Sequence, residues 1–146
     1  MLLVSIVFLS PVKAIGVWST PTQLTSNTAD DAYPVISFDG SKIAFYSNVD
    51  GDYEIYVINS NGSGLTQLTS NTAGDWYPSI SGDGSKIAFQ SNVGGDLEIY
   101  VVNVDGTGLT QLTSNTAEDA YPVISFDGSK NGVLVKCGWR LGDLRS

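Results

Sequence analysis

The stretch DDAYPVISFDGSK at residues 30–42 recurs twice along the chain, as GDWYPSISGDGSK at 74–86 and as EDAYPVISFDGSK at 118–130. Successive copies are offset by 44 residues each time. A fixed period of this length is typical of repeat architectures, in which every copy adopts the same local structure. The fold of the chain therefore follows from the structure of one repeat.

The repeated region, which we take to extend over 15–130, contains two complete copies and a third that stops early. The complete copies, 22–65 and 66–109, share 33 of 44 residues, and the third, 110–130, shares 20 of 21 with the start of the first. Residues 131–146 no longer match and form an aberrant tail. Three explanations remain open: a broken or truncated gene, which the abrupt loss of similarity favours, a ring completed by other copies of the chain, or a last strand formed by GVLVKCGW.

Within one repeat, the apolar residues alternate with a period of two. Ile43 and Phe45 fall on one face of a strand, and Ala44 and Tyr46 fall on the other. Glycine-containing turns such as Asp39-Gly40 separate the alternating segments. The pattern predicts four strands in the first repeat, at 33–38, 42–47, 53–59 and 65–69.

A repeat of about 44 residues with four antiparallel strands is typical of a β-propeller blade. The sequence therefore predicts an all-β chain of tandem four-stranded antiparallel blades. It holds about two and a half of them, whereas propellers close with roughly four to eight blades. The predicted propeller is incomplete.

The run YPVISFDGSKIAFYSNVDGDYEIYVINSNGSGLTQLT, residues 33–69, resembles the WD-like repeat of TolB-type β-propellers. It has the Asp-Gly turn, the Ile-Ala-Phe strand, the Glu-Ile-Tyr strand and the closing Leu-Thr of that family, although Phe38 stands where the family usually has a proline. The resemblance implies a propeller fold. For function it implies either an envelope or surface protein that binds partners, or the front domain of a prolyl-oligopeptidase-like hydrolase whose catalytic domain is absent here.

The composition argues against several classes of function. A net charge of −8 repels phosphate backbones, so we expect no nucleic-acid partner. The chain has no histidine, which excludes a Ser-His-Asp or Cys-His apparatus and a histidine-ligated zinc site. The copies are nearly identical, whereas an enzyme needs groups with different tasks. We therefore expect a protein that is not an enzyme and that holds no metal or cofactor.

The first 14 residues, MLLVSIVFLSPVKA, have the pattern of a signal sequence. An apolar run precedes Pro11, and Val12 and Ala14 occupy the positions that a signal peptidase prefers. The run is far shorter than the ~20 apolar residues of a spanning helix, so we expect no stable membrane anchor. The sequence predicts export to the periplasm or the cell surface. An ordinary buried strand is the alternative.

The strand order places one set of acidic loops at the same end of every blade. Connections between successive strands alternate between the two ends, so the loop before each blade and the loop between its second and third strands share an end. The acidic residues expected there are Asp30, Asp31, Asp50, Asp52, Asp75, Asp96, Glu118 and Asp119, with the aromatic residues Tyr33, Trp76, Tyr77 and Tyr121 beside them. Such a rim suits a basic segment of a protein partner or a divalent cation.

Each part of this rim also has a structural interpretation. Asp31, Asp75 and Asp119 can brace their own loops through backbone N–H groups. The segment NVDGDYE at 48–54 reads better as a hairpin turn than as a calcium loop, because its copy NVGGDLE lacks one carboxylate. The aromatic residues that precede the prolines can fill the seam between blades. Self-association to complete a ring also remains open.

Overall fold

Residues 21–125, together with the backbone of 133–137, are described by the computed structural model. They form ten strands and no helix. The first sheet contains β1 (Asp31–Ile36), β2 (Lys42–Ser47), β3 (Glu54–Asn59) and β4 (Thr66–Gln67). The second contains β5 (Asp75–Ile80), β6 (Lys86–Ser91), β7 (Glu98–Asn103) and β8 (Thr110–Gln111). In the third, β9 (Asp119–Ile124) pairs with β10 (Val133–Cys137). No helix of the described residues is long and apolar enough to cross a membrane.

The sheets confirm the predicted fold class. Each complete sheet has its strands in chain order with antiparallel neighbours, as in a propeller blade, and the third sheet supplies the first two strands of another. The predicted signal sequence, 1–14, lies outside the described residues, and of the predicted tail, 131–146, only 133–137 are described. The described chain is therefore an open array of about two and a half blades.

The first strand of each blade begins earlier and ends sooner than the alternation predicts. β1 ends at Ile36, and Phe38 lies in the turn, because Ser37 N–H donates to the Lys42 carbonyl and Gly40 N–H donates to the Ser37 carbonyl, both at 2.9 Å. The outer strand is also shorter than the predicted 65–69. It contains two residues in each complete blade.

A β-bulge interrupts the first strand of every blade. Between Ala32 and Val35 the pairing of β1 with β2 shifts by one residue, and β5 and β9 show the same shift. Tyr33, Tyr77 and Tyr121 lie in these bulges with positive φ angles of 50°, 51° and 56°. Residues other than glycine rarely adopt a positive φ angle. A bulge accommodates this backbone conformation and turns the side chain in a new direction.

The main hydrophobic core lies in the seam between the first two blades. Ala44, Tyr46 and Val57 on one face of the first blade pack against residues such as Ile87 and Phe89 on the facing side of the second. A smaller cluster of Phe45, Tyr56 and Ile58 occupies the opposite face of the first blade. Alternation along each strand therefore supplies both faces, as a blade between two neighbours requires.

β10 takes the place of a second strand although the repeat match has already ended. Cys137 pairs with Asp119 as Ser47 pairs with Asp31, and the bulge recurs at the corresponding position. Between its paired residues, the connection from β9 to β10 is two residues longer than the connection from β1 to β2. Residues 133–137 of the tail therefore form a strand, as the third explanation of the tail proposed.

Candidate functional site

The loops before β1, β5 and β9 and the β2–β3 and β6–β7 loops meet at one end of the blades. We call this the acidic end. The register places Asp31, Ser47 and Glu54 beside one another, so the starts of β1 and β3 share it. Six of the eight acidic residues expected there are exposed: Asp30, Asp31, Asp50, Asp52, Asp96 and Glu118. The other two, Asp75 and Asp119, are 0% and 3% exposed.

Asp75 and Asp119 are buried because they join one blade to the next. Asp75 N–H donates to the Tyr53 carbonyl of the preceding blade at 2.7 Å. Its Oδ2 accepts from the side chain of Asn71 at 2.9 Å, and Asn71 N–H donates to Glu54 Oε1 at 2.7 Å. Asp119, Asn115 and Glu98 repeat this arrangement in the next seam. These aspartates therefore hold the seams, and their side chains are shielded from solvent.

Glu54 is the most perturbed carboxyl group at the acidic end. It is 2% exposed, and its Oε1 accepts a hydrogen bond from Asn71 N–H at 2.7 Å. Burial raises the pKa of Glu54 to about 7, hydrogen bonds from Thr69 and Asn71 oppose the rise, and the neighbouring Asp75 adds to it. Near neutral pH the seam between the first two blades thus contains a carboxyl group in two protonation states.

The bulge tyrosines form a continuous row across the blades. The ring centroids of Tyr33 and Tyr77 are 4.6 Å apart, and those of Tyr77 and Tyr121 are 4.7 Å apart. A hydrogen bond with Tyr33 is the largest cause that raises the pKa of the Tyr77 phenol. Tyr33 and Tyr121 are 56% and 54% exposed. The row therefore presents aromatic surface to solvent at its two outer tyrosines.

A cleft of about 470 Å³ opens beside this row, where the first two blades meet the loop before β9. We call it the seam cleft. Tyr46, Tyr53, Trp76 and Tyr77 supply its aromatic wall, and Glu118 supplies a carboxylate. Ring centroids along the wall are 5.2 Å apart for Tyr46 and Tyr53 and 6.4 Å for Tyr53 and Trp76. Except for Tyr46, which is buried, these aromatic side chains are partly exposed.

Trp76 has its place in this wall because residue 74 is a glycine. A Cβ at Gly74 would lie 2.0 Å from Cζ2 of the Trp76 ring, which is closer than atoms can approach. The other copies have Asp30 with Ala32 and Glu118 with Ala120 at these two positions. The tryptophan and the glycine are therefore a matched pair, found in one repeat of the three.

The opposite end of the blades has a more balanced charge. Asp83 Oδ1 accepts from Ser81 Oγ at 2.6 Å and from Ser85 N–H at 3.1 Å, and these bonds lower its pKa. Lys86 Nζ donates to Asn103 Oδ1 at 2.7 Å. The polar groups of this end are thus engaged in their own turns, which leaves the acidic end as the candidate site.

The described residues contain no group of three or more His, Cys, Asp and Glu side chains placed to hold a metal ion. In the NVDGDYE segment, Gly51 N–H donates to the Asn48 carbonyl at 3.0 Å, and the Tyr56 hydroxyl donates to Asp50 Oδ2 at 3.4 Å. The segment therefore has the hydrogen bonds of a hairpin turn.

The sequence prediction named some residues of the acidic end and missed others. It named Trp76 and Tyr77 but not Tyr46 or Tyr53, and it did not recognise Glu54 as a partner of Asp75 in the seam. Tyr46 and Tyr53 had a detectable signal, because the second repeat has Gln90 and Leu97 at these positions. Positions at which near-identical copies differ would have pointed to the cleft.

Comparisons with known proteins agree with this architecture. The model of the TolB beta propeller domain family matches residues 15–136. A putative TolB from Agrobacterium tumefaciens is similar in structure, with 27% identity and a TM-score of 0.62 over 68% of this chain and 35% of that one. TolB from Acinetobacter baumannii has 22% identity and a TM-score of 0.56 over 77% of this chain and 30% of that one.

The same fold occurs in an enzyme. A puromycin-hydrolyzing peptidase from Mycobacterium tuberculosis has 17% identity and a TM-score of 0.57 over 73% of this chain and 18% of that one. No curated protein matches the chain with significant similarity. The chain spans about a third of the length of the two TolB structures.

Proposed function

The chain belongs to the TolB β-propeller domain family, and on this premise we propose that it is an exported, non-catalytic module that binds a protein partner through its acidic end. The observation that carries the proposal is the gathering of exposed loop carboxylates at that end: Asp30, Asp50, Asp52, Asp96 and Glu118. A surface of one charge sign attracts a partner of the opposite sign and accelerates their encounter. The partner surface is therefore basic.

The export signal expected in residues 1–14 is part of the proposal. A TolB-type protein that acts in the cell envelope meets its partners outside the cytoplasm. A fusion of the first 20 residues to a periplasmic reporter tests the export signal directly. Reporter activity outside the cytoplasm supports it, and retention of the fusion in the cytoplasm contradicts it.

Two matched variants test the role of the acidic end. Asp52→Asn with Asp96→Asn removes two exposed rim charges, while Thr66→Lys with Thr110→Lys adds two charges on the exposed outer strands. Both variants raise the net charge by the same amount. Each is used to capture proteins from an extract of the source organism's envelope, and the captured proteins are quantified by mass spectrometry.

We expect the rim variant to lose basic partners that the outer-strand variant retains, because the charges must face the partner to steer it. Equal capture by the two variants and the unmodified chain, with each variant shown to be folded by circular dichroism, would mean that the acidic end does not bind the partner.

A hydrolase front domain is the second candidate, and the similarity to the peptidase fold favours it. In that case the propeller would control access to a catalytic domain on the same polypeptide. A Gly-x-Ser-x-Gly segment encoded downstream in the same reading frame would support the hydrolase. If the complete gene encodes no such segment, the hydrolase interpretation loses its support and the binding module remains the proposed function.

A further inference from the structure

Several of the positions at which the copies of the repeat differ lie around the seam cleft. The two complete repeats differ at 11 of 44 positions, which is a quarter of them. Six of the nine residues that line the cleft stand at positions where copies differ: Tyr46, Tyr53, Trp76, Gln90, Leu97 and Glu118. They represent four of the 11 differing positions. In an array that otherwise copies itself, the cleft is thus a place where the blades are not equivalent.

The chemistry of the cleft is that of a cation site for an organic group. Three of its four aromatic side chains are partly exposed, and all four line the cleft. Aromatic faces carry negative potential and attract ammonium and guanidinium groups. Glu118 adds a full negative charge to the lining, and Asp96 lies between the lining residues Gly95 and Leu97. The described part of the cleft lining contains no Lys or Arg.

The described side chains of the second seam form no equivalent aromatic wall. At the positions that correspond to Tyr46, Tyr53 and Trp76 it has Gln90, Leu97 and Ala120, and only Tyr121 repeats an aromatic residue of the wall. The described chain therefore holds a single aromatic cleft of this kind. A partner with one anchoring cation can dock in only one register, although the blades on both sides of the cleft are nearly the same.

We infer that the seam cleft binds a lysine or arginine side chain of the protein partner, between the aromatic wall and the Glu118 carboxylate. The inference rests on the proposed function and adds to it the anchoring chemistry. The exposed acidic residues attract the basic surface over a distance, and the cleft then selects one cationic side chain. An organic cation is the ligand of this site, and a metal ion is not.

Short peptides test the inference without the unidentified partner. The probes are acetyl-Gly-Lys-Gly-amide, its arginine analogue, and its norleucine analogue, which has a similar chain length but no charge. Binding is followed in ¹⁵N NMR spectra through the indole N–H signal of Trp76, which is assigned by its loss in Trp76→Ala. We expect the lysine or arginine peptide to shift this signal saturably. The norleucine peptide should bind at least threefold more weakly, the lower limit of roughly three- to thirtyfold for a cation–π contact.

Two substitutions copied from other repeats remove parts of the wall with little risk to folding. Tyr53→Leu introduces the residue of position 97, and Trp76→Ala introduces the residue of positions 32 and 120. Each substitution should lower the affinity for the cationic peptide by roughly three- to thirtyfold. For Trp76→Ala, backbone amide signals around the cleft replace the indole signal. The matched control is Ile58→Val, a copied substitution on the opposite face of the first blade, which should leave binding unchanged.

The outcomes separate this inference from the proposed function. If the norleucine peptide binds as tightly as the cationic peptides, or if folded Tyr53→Leu and Trp76→Ala both bind like the unmodified chain, the cleft is not a cation site. The acidic end can still capture a partner in that case, as the rim variants show independently. If the rim variant retains every partner while the cleft binds the lysine peptide, the proposed function is wrong, and the inference that the cleft binds a cationic side chain is still supported.

Discussion

Tyr33, Tyr77 and Tyr121 show how much a single backbone conformation decides at this site. Each precedes a proline, which normally favours an extended conformation, yet each has a positive φ angle. The bulge turns the three side chains into one row with centroid distances below 5 Å between neighbouring rings. Alternation in the sequence cannot reveal this arrangement, because a bulge changes the direction of a side chain without changing the pattern of apolar residues.

Substitution of the single residue Gly74 tests how it packs against the Trp76 ring. Gly74→Ala should lower the free energy of unfolding by about 1–3 kcal/mol, because the new methyl group would overlap the Trp76 ring and force it to move. In a Trp76→Ala background, the same change should be neutral or slightly stabilising, since alanine restricts the unfolded chain more than glycine does. Urea unfolding of the four chains of this double-mutant cycle measures both effects.

One result of this cycle would contradict the pairing of Gly74 with Trp76. If Gly74→Ala costs the same with and without Trp76, the ring does not occupy the space beside Gly74 and the two residues are not a matched pair. The aromatic wall of the seam cleft would then have a different shape.

At the scale of the strand and the seam, Glu54 makes the contact between the first two blades sensitive to pH. Its folded-state pKa, about 7, is above the ordinary value of 4.5, so the folded chain binds the proton more tightly than the unfolded chain does. This stabilisation is complete below pH 4.5 and is lost as the pH rises through 7. Since one pKa unit corresponds to about 1.4 kcal/mol, the full loss across this pH range is on the order of 3 kcal/mol.

Glu54→Gln should remove this dependence. The amide has nearly the shape of the protonated acid and cannot ionise, so the variant should be more stable than the unmodified chain at pH 8 and should show a flatter profile between pH 5 and 8. Thermal or urea unfolding at several pH values measures the difference. Asp52→Asn, at an exposed position of the loop that precedes β3, is the control and should keep the original slope. An unchanged slope in Glu54→Gln would assign the pH dependence to another group.

The strands were predictable from the repeat, while their connections to neighbouring blades were not. Period-two alternation and Asp-Gly turns located all four strands of a blade because these signals are local. The seam is formed by residues far apart in sequence, such as Glu54 and Asp75, and a count of charges cannot show that the aspartate is buried. The cleft has the same origin, because three different repeats contribute its lining.

At the scale of the whole molecule, the two faces of a blade have different importance for stability. Phe89, 1% exposed, lies in the core between the first two blades and stacks on Tyr100. Phe45 is the same residue of the first repeat and stacks on Tyr56, but its described cluster contains only three buried residues. We therefore expect the array to depend more on Phe89.

Phe89→Leu should lower the free energy of unfolding by about 1–2 kcal/mol, the usual range for a reshaped core residue, and Phe45→Leu should cost less. The two substitutions are a matched pair because the side chains and the strand positions are identical. Urea unfolding of both variants gives the comparison. An equal or larger cost for Phe45→Leu would show that the outer face of the first blade is packed as firmly as the seam.

The hydrogen bonds of the seams also bear on how such a chain can change its length over evolution. Glu54, Asn71 and Asp75 in one seam correspond to Glu98, Asn115 and Asp119 in the next, always 44 residues apart. A blade duplicated or deleted by recombination between these near-identical coding segments would therefore meet matching donors and acceptors on both sides. The number of blades can change in a single genetic event, with every junction already compatible.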